Sequence, residues 1–375
     1  MIIRNFWLQQ LNEAWKERSL IWLSGVRRSG KTTLCKMVPD AIYMNCDLPS
    51  VVRQIEDPEF FFHNVTGNNI VIFDEIHRIE NPSAVLKIGT DEFPEIKILA
   101  TGSSTLSATK KFRDSLAGRK VQLFLPPVLW SECNANFGIS DLDRRLIRGG
   151  LPEFLLADTK IAEHYSEWMD SYYARDIQEL FNVRNRTGFL KLMQLIFLQS
   201  GGMLEISSLA KESGLSRPTV MAHIEALTLA HAIFPVPPFY GGGKKEIVKR
   251  PKVYAFDTGF VTHVKGWNEI RETDRGILWE HLVLDMLRTQ KGNVFYWADT
   301  YGNEIDFIAK ASTGQVHAFE CKINPDKFSP KALLKFREFY PEGKNFCISP
   351  HVQHSYKLSF KGIEVEFHSG LFNQW

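Results

Sequence analysis

The sequence predicts an α/β fold built on a parallel β-sheet, because short apolar runs alternate with stretches of helical spacing over its first third. The apolar runs lie at residues 21–23, 41–44, 70–73, 96–100 and 121–125. The first run leads into a glycine-rich loop, and the third ends in two adjacent acids. Later strand-type segments, at 294–297, 304–308 and 316–322, predict a second α/β domain near the C-terminus.

Length and composition are those of a globular chain with several domains. The chain has 375 residues, of which 44% are hydrophobic and 23% are charged. It has no run of membrane-spanning length and no secretory signal pattern, so we expect a cytoplasmic protein without a membrane partner. Its five cysteines lack C-x-x-C spacing, which argues against disulfides and zinc sites. A net charge of +2 is too small to indicate a nucleic-acid partner by itself.

The glycine-rich loop at residues 25–32 fits the pattern G-x-x-x-x-G-K-[ST] of the P-loop, which binds nucleotide phosphates. Lys31 is expected to reach the β- and γ-phosphates of ATP, and Thr32 to ligate Mg2+. The residues predicted to surround the nucleotide are Gly25, Arg28, Ser29, Gly30, Lys31, Thr32 and Thr33.

Two acids follow the apolar run 70–73, which suits a central strand buried on both faces. Asp74 then falls at the carboxyl end of the strand, where ligands of open α/β sheets bind, and is expected to hold Mg2+. Glu75 is placed to polarise the attacking water. Because a pocket that only binds a nucleotide would not need this second carboxylate, the pair predicts hydrolysis.

The next strand ends in the small polar residues 101–104. Ser103 is our choice for a sensor of the γ-phosphate, with Thr101 and Ser104 close behind. A helical stretch at 107–116 is followed by Gly118, a predicted C-cap, and by Arg119. Arg119 is either the finger that reaches a neighbouring subunit's γ-phosphate in a ring, or an ordinary surface arginine.

The segment 128–200 has a helical pattern and is interpreted as a lid. Its Arg175-Asp176 pair either completes the nucleotide site or forms a surface ion pair, and the surface pair is the preferred interpretation.

Residues 201–262 have the pattern of a winged helix, in which a glycine turn joins two helices. In the second helix Val220, Ile224 and Leu227 are expected to point inward, and Arg217, Thr219 and His223 outward. A basic wing follows, and contacts with the DNA backbone are predicted for Arg217, Lys244, Lys245, Lys249, Arg250 and Lys252. The alternative is a winged helix that binds protein only.

A second group of charged residues lies in the C-terminal domain. Asp306, Glu320 and Lys322 have the spacing D-x13-E-x-K of restriction-endonuclease-like nucleases, and Glu280 could join them from a helix. Two carboxylates can collect Mg2+, and a lysine can stabilise a phosphate transition state. The alternatives are a structural salt bridge and a retained nuclease fold without cleavage.

Together these motifs resemble the bacterial and archaeal AAA-type ATPases whose C-terminal part is domain-of-unknown-function family 4143. The matching segments are 25–32, 73–77, 101–104, 116–119, 149–153, 175–177, 304–307 and 320–322. The resemblance covers essentially the whole chain. It implies a P-loop ATPase core at 1–127, followed by a helical lid at 128–200 and a winged helix at 201–262. A restriction-endonuclease-like domain at 263–375 would complete the chain.

The function that we infer from the sequence is that of a Mg2+-dependent ATPase acting on DNA, branched DNA included. We expect the protein to act as a homo-oligomeric ring, of which a hexamer is one form. The first alternative is an ATP-dependent nuclease that cuts with Asp306, Glu320 and Lys322. The second is a nucleotide-gated switch that binds protein partners and no DNA.

Overall fold

The computed structural model describes residues 2–65, 70–102, 110–178, 181, 183, 185–241, 250–290, 292–311 and 314–369. The chain divides into two compact units, each assembled from separate segments. The first unit contains Met1–Pro127, Met169–Arg184 and Leu229–His231, and the second contains Val128–Trp168, Asn185–Thr228 and Ala232–Trp375. The first unit therefore includes two segments from beyond the predicted ATPase core.

The first unit contains a five-stranded parallel sheet of order β2-β3-β4-β1-β5. Its strands are β1 (Leu20–Ser24), β2 (Ile42–Asn45), β3 (Ile70–Asp74), β4 (Lys97–Thr101) and β5 (Lys120–Phe124). The predicted parallel α/β sheet is therefore confirmed. The central strands β1 and β3 are apolar along most of their length because helices cover both faces of a parallel sheet.

Short helices connect these strands. They are Asn5–Glu17, Lys31–Cys35, Pro49–Gln54, Pro58–His63, Pro82–Glu92 and Lys110–Ser115, with a 3-10 turn at Ile76–Arg78. Three of the helices begin with proline, which suits the first helical position because no N–H is needed there. The core packs Trp22, Phe73 and Ile98 of the sheet with Phe62 and Leu86 of the helices.

Most of the remaining helices lie after residue 128, and those between residues 128 and 200 agree with the helical pattern predicted for that segment. They are Trp130–Phe137, Leu142–Arg148, Pro152–Leu156, Ala162–Tyr172, Arg186–Leu198, Ile206–Ser213, Arg217–Leu229, Thr258–Val264, Glu272–Arg288 and Lys331–Phe339, with a π-helix at Tyr173–Gln178 and a 3-10 turn at Pro325–Lys327. In the part of the chain that the structure describes, no helix is both long enough and apolar enough to cross a membrane.

The segment expected to be a winged helix has the predicted order of elements. Gly214, at φ +72°, separates the helices Ile206–Ser213 and Arg217–Leu229. The antiparallel strands β6 (Ile233–Val236) and β7 (Lys252–Ala255) follow. The residues that would join these two strands as the tip of a wing, 242–249, lie outside the described residues.

The second of these helices differs from the prediction at one position. Val220, Ile224 and Leu227 are buried as expected, but His223 is also buried, with its ring edge against Phe189. Because residues three and four apart share one face of a helix, His223 lies on the same face as Val220 and Leu227. The outward orientation that we predicted for His223 is therefore wrong.

The C-terminal part of the second unit contains a six-stranded mixed sheet of order β12-β13-β11-β10-β9-β8. Its strands are β8 (Val294–Ala298), β9 (Glu304–Lys310), β10 (Val316–Cys321), β11 (Asn345–Ile348), β12 (Tyr356–Phe360) and β13 (Ile363–His368). Ile308 and Ala318 of the sheet pack against Leu333 and Phe336 of the last helix. The predicted second α/β domain is therefore present.

Candidate functional site

The glycine-rich loop lies between β1 and the helix Lys31–Cys35 and has the left-handed backbone that its glycines permit. Gly25 has φ +152° and Gly30 has φ +98°, while Arg28 between them has φ +64°. A Cβ atom on Gly25 would lie 2.5 Å from the carbonyl oxygen of Leu125, so no other residue fits there without displacing β5. The conformation of this loop therefore requires glycine at position 25.

Lys31 places its ammonium inside this loop. Its Nζ donates hydrogen bonds to the carbonyl oxygens of Gly25, at 2.8 Å, and Val26, at 3.1 Å. Burial lowers the pKa of Lys31, and the nearby charges of Glu75, Asp176 and Asp74 oppose that shift. The ammonium therefore interacts electrostatically with three carboxylates of the same unit.

Asp74 is the last residue of β3, and both of its oxygens are held by neighbouring strands. Its Oδ1 accepts a hydrogen bond from the hydroxyl of Thr101 on β4, at 2.5 Å. Its Oδ2 accepts one from the hydroxyl of Tyr43 on β2, at 2.6 Å. The carboxylate is buried and fixed in orientation. The hydrogen bond from Tyr43 was not foreseen from the sequence.

Glu75 follows in the left-handed region, at φ +57°, which is strained for a residue with a side chain. Its backbone N–H donates to the Thr101 hydroxyl at 3.0 Å, and its Oε2 lies 3.2 Å from Nδ1 of His77. The hydrogen bond with His77 and the charge of Lys31 lower the pKa of Glu75, so this carboxyl is ionised at neutral pH. An ionised, oriented carboxylate beside Lys31 suits a group that polarises water.

Asp176 belongs to the π-helix Tyr173–Gln178 of the same unit. Burial raises its pKa, and the charges of Arg27 and Lys31 act in the opposite direction. Its Oδ2 is buried and has no hydrogen-bond partner among the residues that the structure describes. Of the two interpretations from the sequence, this placement favours a role at the nucleotide site over a surface ion pair. π-Helical turns are frequent at functional sites.

Thr101→Val is expected to lower both stability and ATP turnover. The Thr101 hydroxyl donates to Asp74 and accepts from the N–H of Glu75, so its loss leaves two groups without this partner and costs about 1–3 kcal/mol. The free energy of unfolding by denaturant titration and the rate of phosphate release are the measurements. Thr90→Val, on the helix Pro82–Glu92, is the matched control. If the two variants are equally stable and active, Thr101 does not hold the acids.

The remaining residues predicted for the nucleotide site fit less directly. Arg119 pairs with Asp91 of its own chain through two hydrogen bonds, of 2.6 and 3.0 Å, so a role as a finger in a ring requires this pair to open. Ser103 and Ser104 lie outside the described residues. Thr32 and Thr33 are exposed at the start of the helix Lys31–Cys35.

The donor set fits a triphosphate with Mg2+. The Thr32 hydroxyl and the Asp74 carboxylate are hard oxygen ligands of the kind that Mg2+ prefers. In the loop itself, the buried hydroxyl of Ser29 makes no hydrogen bond to the described residues. A buried polar group without a protein partner calls for a bound ligand or water.

The charged residues predicted for the C-terminal domain are brought together. Phe307 and Phe319 are partners in the β9–β10 ladder, so Asp306 and Glu320 follow on the next rung. Lys322 Nζ lies 2.8 Å from Glu320 Oε2 and 3.7 Å from Asp306 Oδ2. Glu280 enters from the helix Glu272–Arg288, where its Oε2 accepts a hydrogen bond from the Tyr254 hydroxyl at 2.8 Å. The name acidic cluster is used below for six residues, which are Glu280, Glu304, Asp306, Glu320, Lys252 and Lys322.

Lys252 has a different place from the one predicted. Its side chain is buried, forms an ion pair with Glu304, and is influenced by the charges of Glu280 and Asp306. The prediction that Lys252 contacts DNA phosphates is therefore wrong, because its ammonium is not accessible. Lys252 pairs with Glu304, and Lys322 pairs with Glu320 and Asp306. Among the described residues, no group of three or more acids, histidines or cysteines has the arrangement of a metal site.

Burial raises the pKa of Glu280 to about 8 and that of Glu320 to about 7, and the charge of Asp306 adds to both shifts. In the unfolded chain Glu280 loses its proton near pH 4.5, whereas in the folded protein it keeps the proton to about pH 8. Between about pH 4.5 and about pH 8, Glu280 therefore binds fewer protons in the unfolded state than in the folded state. The stability that this group contributes is present at low pH and is lost as the pH rises through this window.

Glu280→Gln is accordingly expected to flatten the pH dependence of stability. Glutamine resembles the protonated acid and cannot ionise, so the variant should lose less stability than the wild type between about pH 5 and about pH 8. Thermal melting of both proteins across this range is the measurement. Parallel curves would show that Glu280 does not titrate in the folded protein.

The other residues predicted to contact DNA are only partly described. Arg217 is exposed. Arg250 is also exposed and forms an ion pair with Glu205. Lys244, Lys245 and Lys249 lie outside the described residues.

Comparison with protein-family models gives three matches along the chain. An AAA domain matches residues 17–134, which contain the whole parallel sheet with the loop, Asp74 and Glu75. Domains of unknown function match residues 139–271 (DUF8612) and 275–362 (DUF4143), the latter containing Glu280, Asp306 and Glu320. The chain combines an AAA-type P-loop domain with a DUF4143 domain. The resemblance drawn from the sequence is confirmed.

Known proteins similar to this AAA–DUF4143 chain include several uncharacterized ones. One from Mycobacterium tuberculosis is 25% identical over 328 residues, which cover 84% of this chain and 72% of that protein. One from Haemophilus influenzae is 23% identical over 342 residues, covering 83% and 84%. Among solved structures, the Walker-type ATPase of Pyrococcus abyssi is 17% identical, covers 71% of this chain and 96% of its own, and has a TM-score of 0.47.

Proposed function

We propose that the chain is a Mg2+-dependent ATP hydrolase that couples hydrolysis to work on DNA. The observation that carries the proposal is the arrangement at the edge of the parallel sheet. There the Lys31 ammonium interacts electrostatically with the carboxylates of Asp74 and Glu75. The hydroxyl of Thr101 donates a hydrogen bond to the Asp74 carboxylate and accepts one from the backbone N–H of Glu75. An ammonium, an oriented metal-binding acid and a second ionised acid are the groups that ATP hydrolysis needs.

In this proposal each residue has a defined task. The loop N–H groups and Lys31 bind the phosphates, and Thr32 and Asp74 hold Mg2+, which would neutralise charge on the β- and γ-phosphates. Glu75 orients the attacking water and accepts its proton. Asp176, Ser103 and Arg119 are candidates for sensing or completing the site, with Arg119 acting in a neighbouring subunit of a homo-oligomer.

Support for DNA as the partner comes from the second unit. Arg217 and Arg250 are exposed basic side chains, and the sequence between Gly241 and Arg250 adds Lys244, Lys245 and Lys249 against the single acid Glu246. Contacts of this kind bind phosphates without reading sequence. Their affinity should fall steeply with salt, because each neutralised phosphate releases counterions.

Reversing the charge of the predicted wing is expected to abolish DNA binding. The variant carries Lys244→Glu, Lys245→Glu, Lys249→Glu and Arg250→Glu, because acids at these positions repel the phosphate backbone. Fluorescence anisotropy with labelled DNA at two salt concentrations is the measurement. The control is charge reversal at Lys331, an exposed lysine of the helix Lys331–Phe339. Unchanged binding would remove the wing from the proposal.

The proposal is tested by the ATPase rate with and without single-stranded, duplex and four-way DNA. Stimulation by at least one form of DNA is the expected result. If ATP is hydrolysed but DNA neither binds nor stimulates, the protein is instead a nucleotide-gated switch for protein partners.

A second candidate function is cleavage of DNA by the acidic cluster. The short distances between Asp306, Glu320 and Lys322 favour it, whereas the ion pair of the buried Lys252 with Glu304 disfavours metal binding. Incubation of several DNA forms with Mg2+, for the wild type and Asp306→Ala, decides between them. Cleavage that disappears in the variant supports a nuclease, and absence of cleavage in both supports a structural cluster.

A further inference from the structure

A groove lined by aromatic side chains lies in the second unit, next to the Lys252–Glu304 ion pair of the acidic cluster: Lys252 Nζ is 5.6 Å from the centroid of the Tyr296 ring. It encloses about 840 Å³ between β8, the turn after it and the helix Lys331–Phe339. Its aromatic lining consists of Tyr240, Tyr296, Trp297, Tyr301, Phe339 and Tyr340, and we call it the aromatic groove. Of its lining residues, the functions proposed above use only Arg250.

Two of these rings are displayed to solvent. Tyr301 is 83% exposed and Phe339 is 60% exposed. The turn that carries Tyr301 is fixed by Asp299, whose carboxylate accepts hydrogen bonds from the N–H groups of Tyr301, at 2.8 Å, and Asn303, at 2.9 Å. Tyr301 is therefore held outward by an ordered turn.

The floor of the groove is well packed. Tyr296 exchanges backbone hydrogen bonds with the segment before the wing, donating to Pro237 at 3.0 Å and accepting from Phe239 at 2.6 Å. Its hydroxyl donates to the carbonyl oxygen of Arg250 at 2.9 Å. Tyr340 packs edge-on against Phe239, with ring centroids 5.0 Å apart. The exposed rings of Tyr301 and Phe339 therefore lie beside a well-packed group of side chains that includes Tyr296 and Tyr340.

Two basic side chains and one acid line the groove. Arg250 and Lys335 line it, and their ion pairs with Glu205 and Glu338 are at the surface, where such pairs contribute little. The acid is Asp299, whose carboxylate stays ionised because the hydrogen bonds of its turn and the charge of Lys335 lower its pKa. The sequence that leaves the groove after Tyr240 and returns at Arg250 contains three lysines and one acid.

We propose that the aromatic groove binds single-stranded nucleic acid, with bases stacked on Tyr301 and Phe339 and phosphates near Arg250 and Lys335. Exposed rings beside basic side chains are the combination by which proteins bind single strands without sequence preference. A duplex cannot use these rings, because its bases are already stacked on one another. The inference rests on the proposed action on DNA and specifies which form of DNA this surface takes.

The test is fluorescence anisotropy with a labelled oligothymidine and with a labelled hairpin duplex of equal charge. Tyr301→Ala and Phe339→Ala are each expected to weaken oligothymidine binding by about 10- to 100-fold, with little effect on the duplex. Tyr301→Trp, which keeps a stacking ring, should restore binding. Phe60→Ala, which removes a 67% exposed ring from the first unit, is the control and should bind as the wild type does.

The outcomes separate this inference from the proposed function. If the wild type binds DNA but Tyr301→Ala and Phe339→Ala bind the oligothymidine normally, the groove is not the site, and the proposed action on DNA stands. Equal losses for the oligothymidine and the duplex also overturn the groove, because stacking would then not be involved. If the wild type binds no DNA of either form, both proposals fail for DNA, while ATP hydrolysis is still measured separately.

Discussion

Glu75→Gln is expected to slow ATP turnover by about 10²- to 10⁴-fold while ATP remains bound, because the amide cannot accept the proton of the attacking water. The substitution changes no side-chain volume. It leaves the contact between the Glu75 backbone N–H and Thr101 intact, so the strained backbone at φ +57° is kept. The effect should therefore fall on the rate and not on binding.

The measurements are phosphate release and equilibrium binding of ATP in the presence of Mg2+. Glu80→Gln is the matched control, since Glu80 is an exposed acid shortly after β3 in the same unit. Turnover within a few-fold of the wild type would assign water activation to another group, and Asp176 would be the first candidate.

Lys31→Ala is expected to lower the affinity for ATP by about 10²-fold or more, because removal of the ammonium from this partly buried set of charges leaves the carboxylates uncompensated. The ammonium lies close to the charges of Glu75, Asp176 and Asp74. Without it these carboxylates would repel the triphosphate. The loss should therefore exceed that of one hydrogen bond.

Titration calorimetry with Mg2+ and ATP measures this effect. Lys87→Ala, which removes an exposed ammonium from the helix Pro82–Glu92, controls for the change in net charge and should bind ATP as the wild type does. If Lys31→Ala retains wild-type affinity, the nucleotide does not occupy the loop.

The nucleotide site was predictable where its determinants are local in sequence. Gly25, Gly30 and Lys31 stand in one loop, and Asp74 ends an apolar run, so strand periodicity alone places them at one edge of a sheet. Thr101 was expected at the same edge. Its contacts with Asp74 and Glu75 follow from the strand order, because β4 lies directly beside β3.

Contacts that depend on tertiary structure were not predictable in this way. Asp176 reaches the site from a π-helix far downstream of Glu75, and the sequence offered this role only as the less favoured of two interpretations of the Arg175-Asp176 pair. Lys252 was assigned to the wing because it ends a basic run. Side chains alternate along a strand, so Lys252 shares a face of β7 with Tyr254, which contacts Glu280. All four residues of β7 are buried, so alternation along the strand gave no signal for the burial of Lys252.

The central claim is that Lys31, Asp74 and Glu75 form one site for ATP with Mg2+. Calorimetric titration of the Glu75→Gln protein with ATP tests it most directly, because this variant should bind ATP without consuming it. We expect saturable binding that requires Mg2+ and that disappears when Lys31→Ala is added. Absence of ATP binding with Mg2+ supplied, in this variant and in the wild type, would contradict the account.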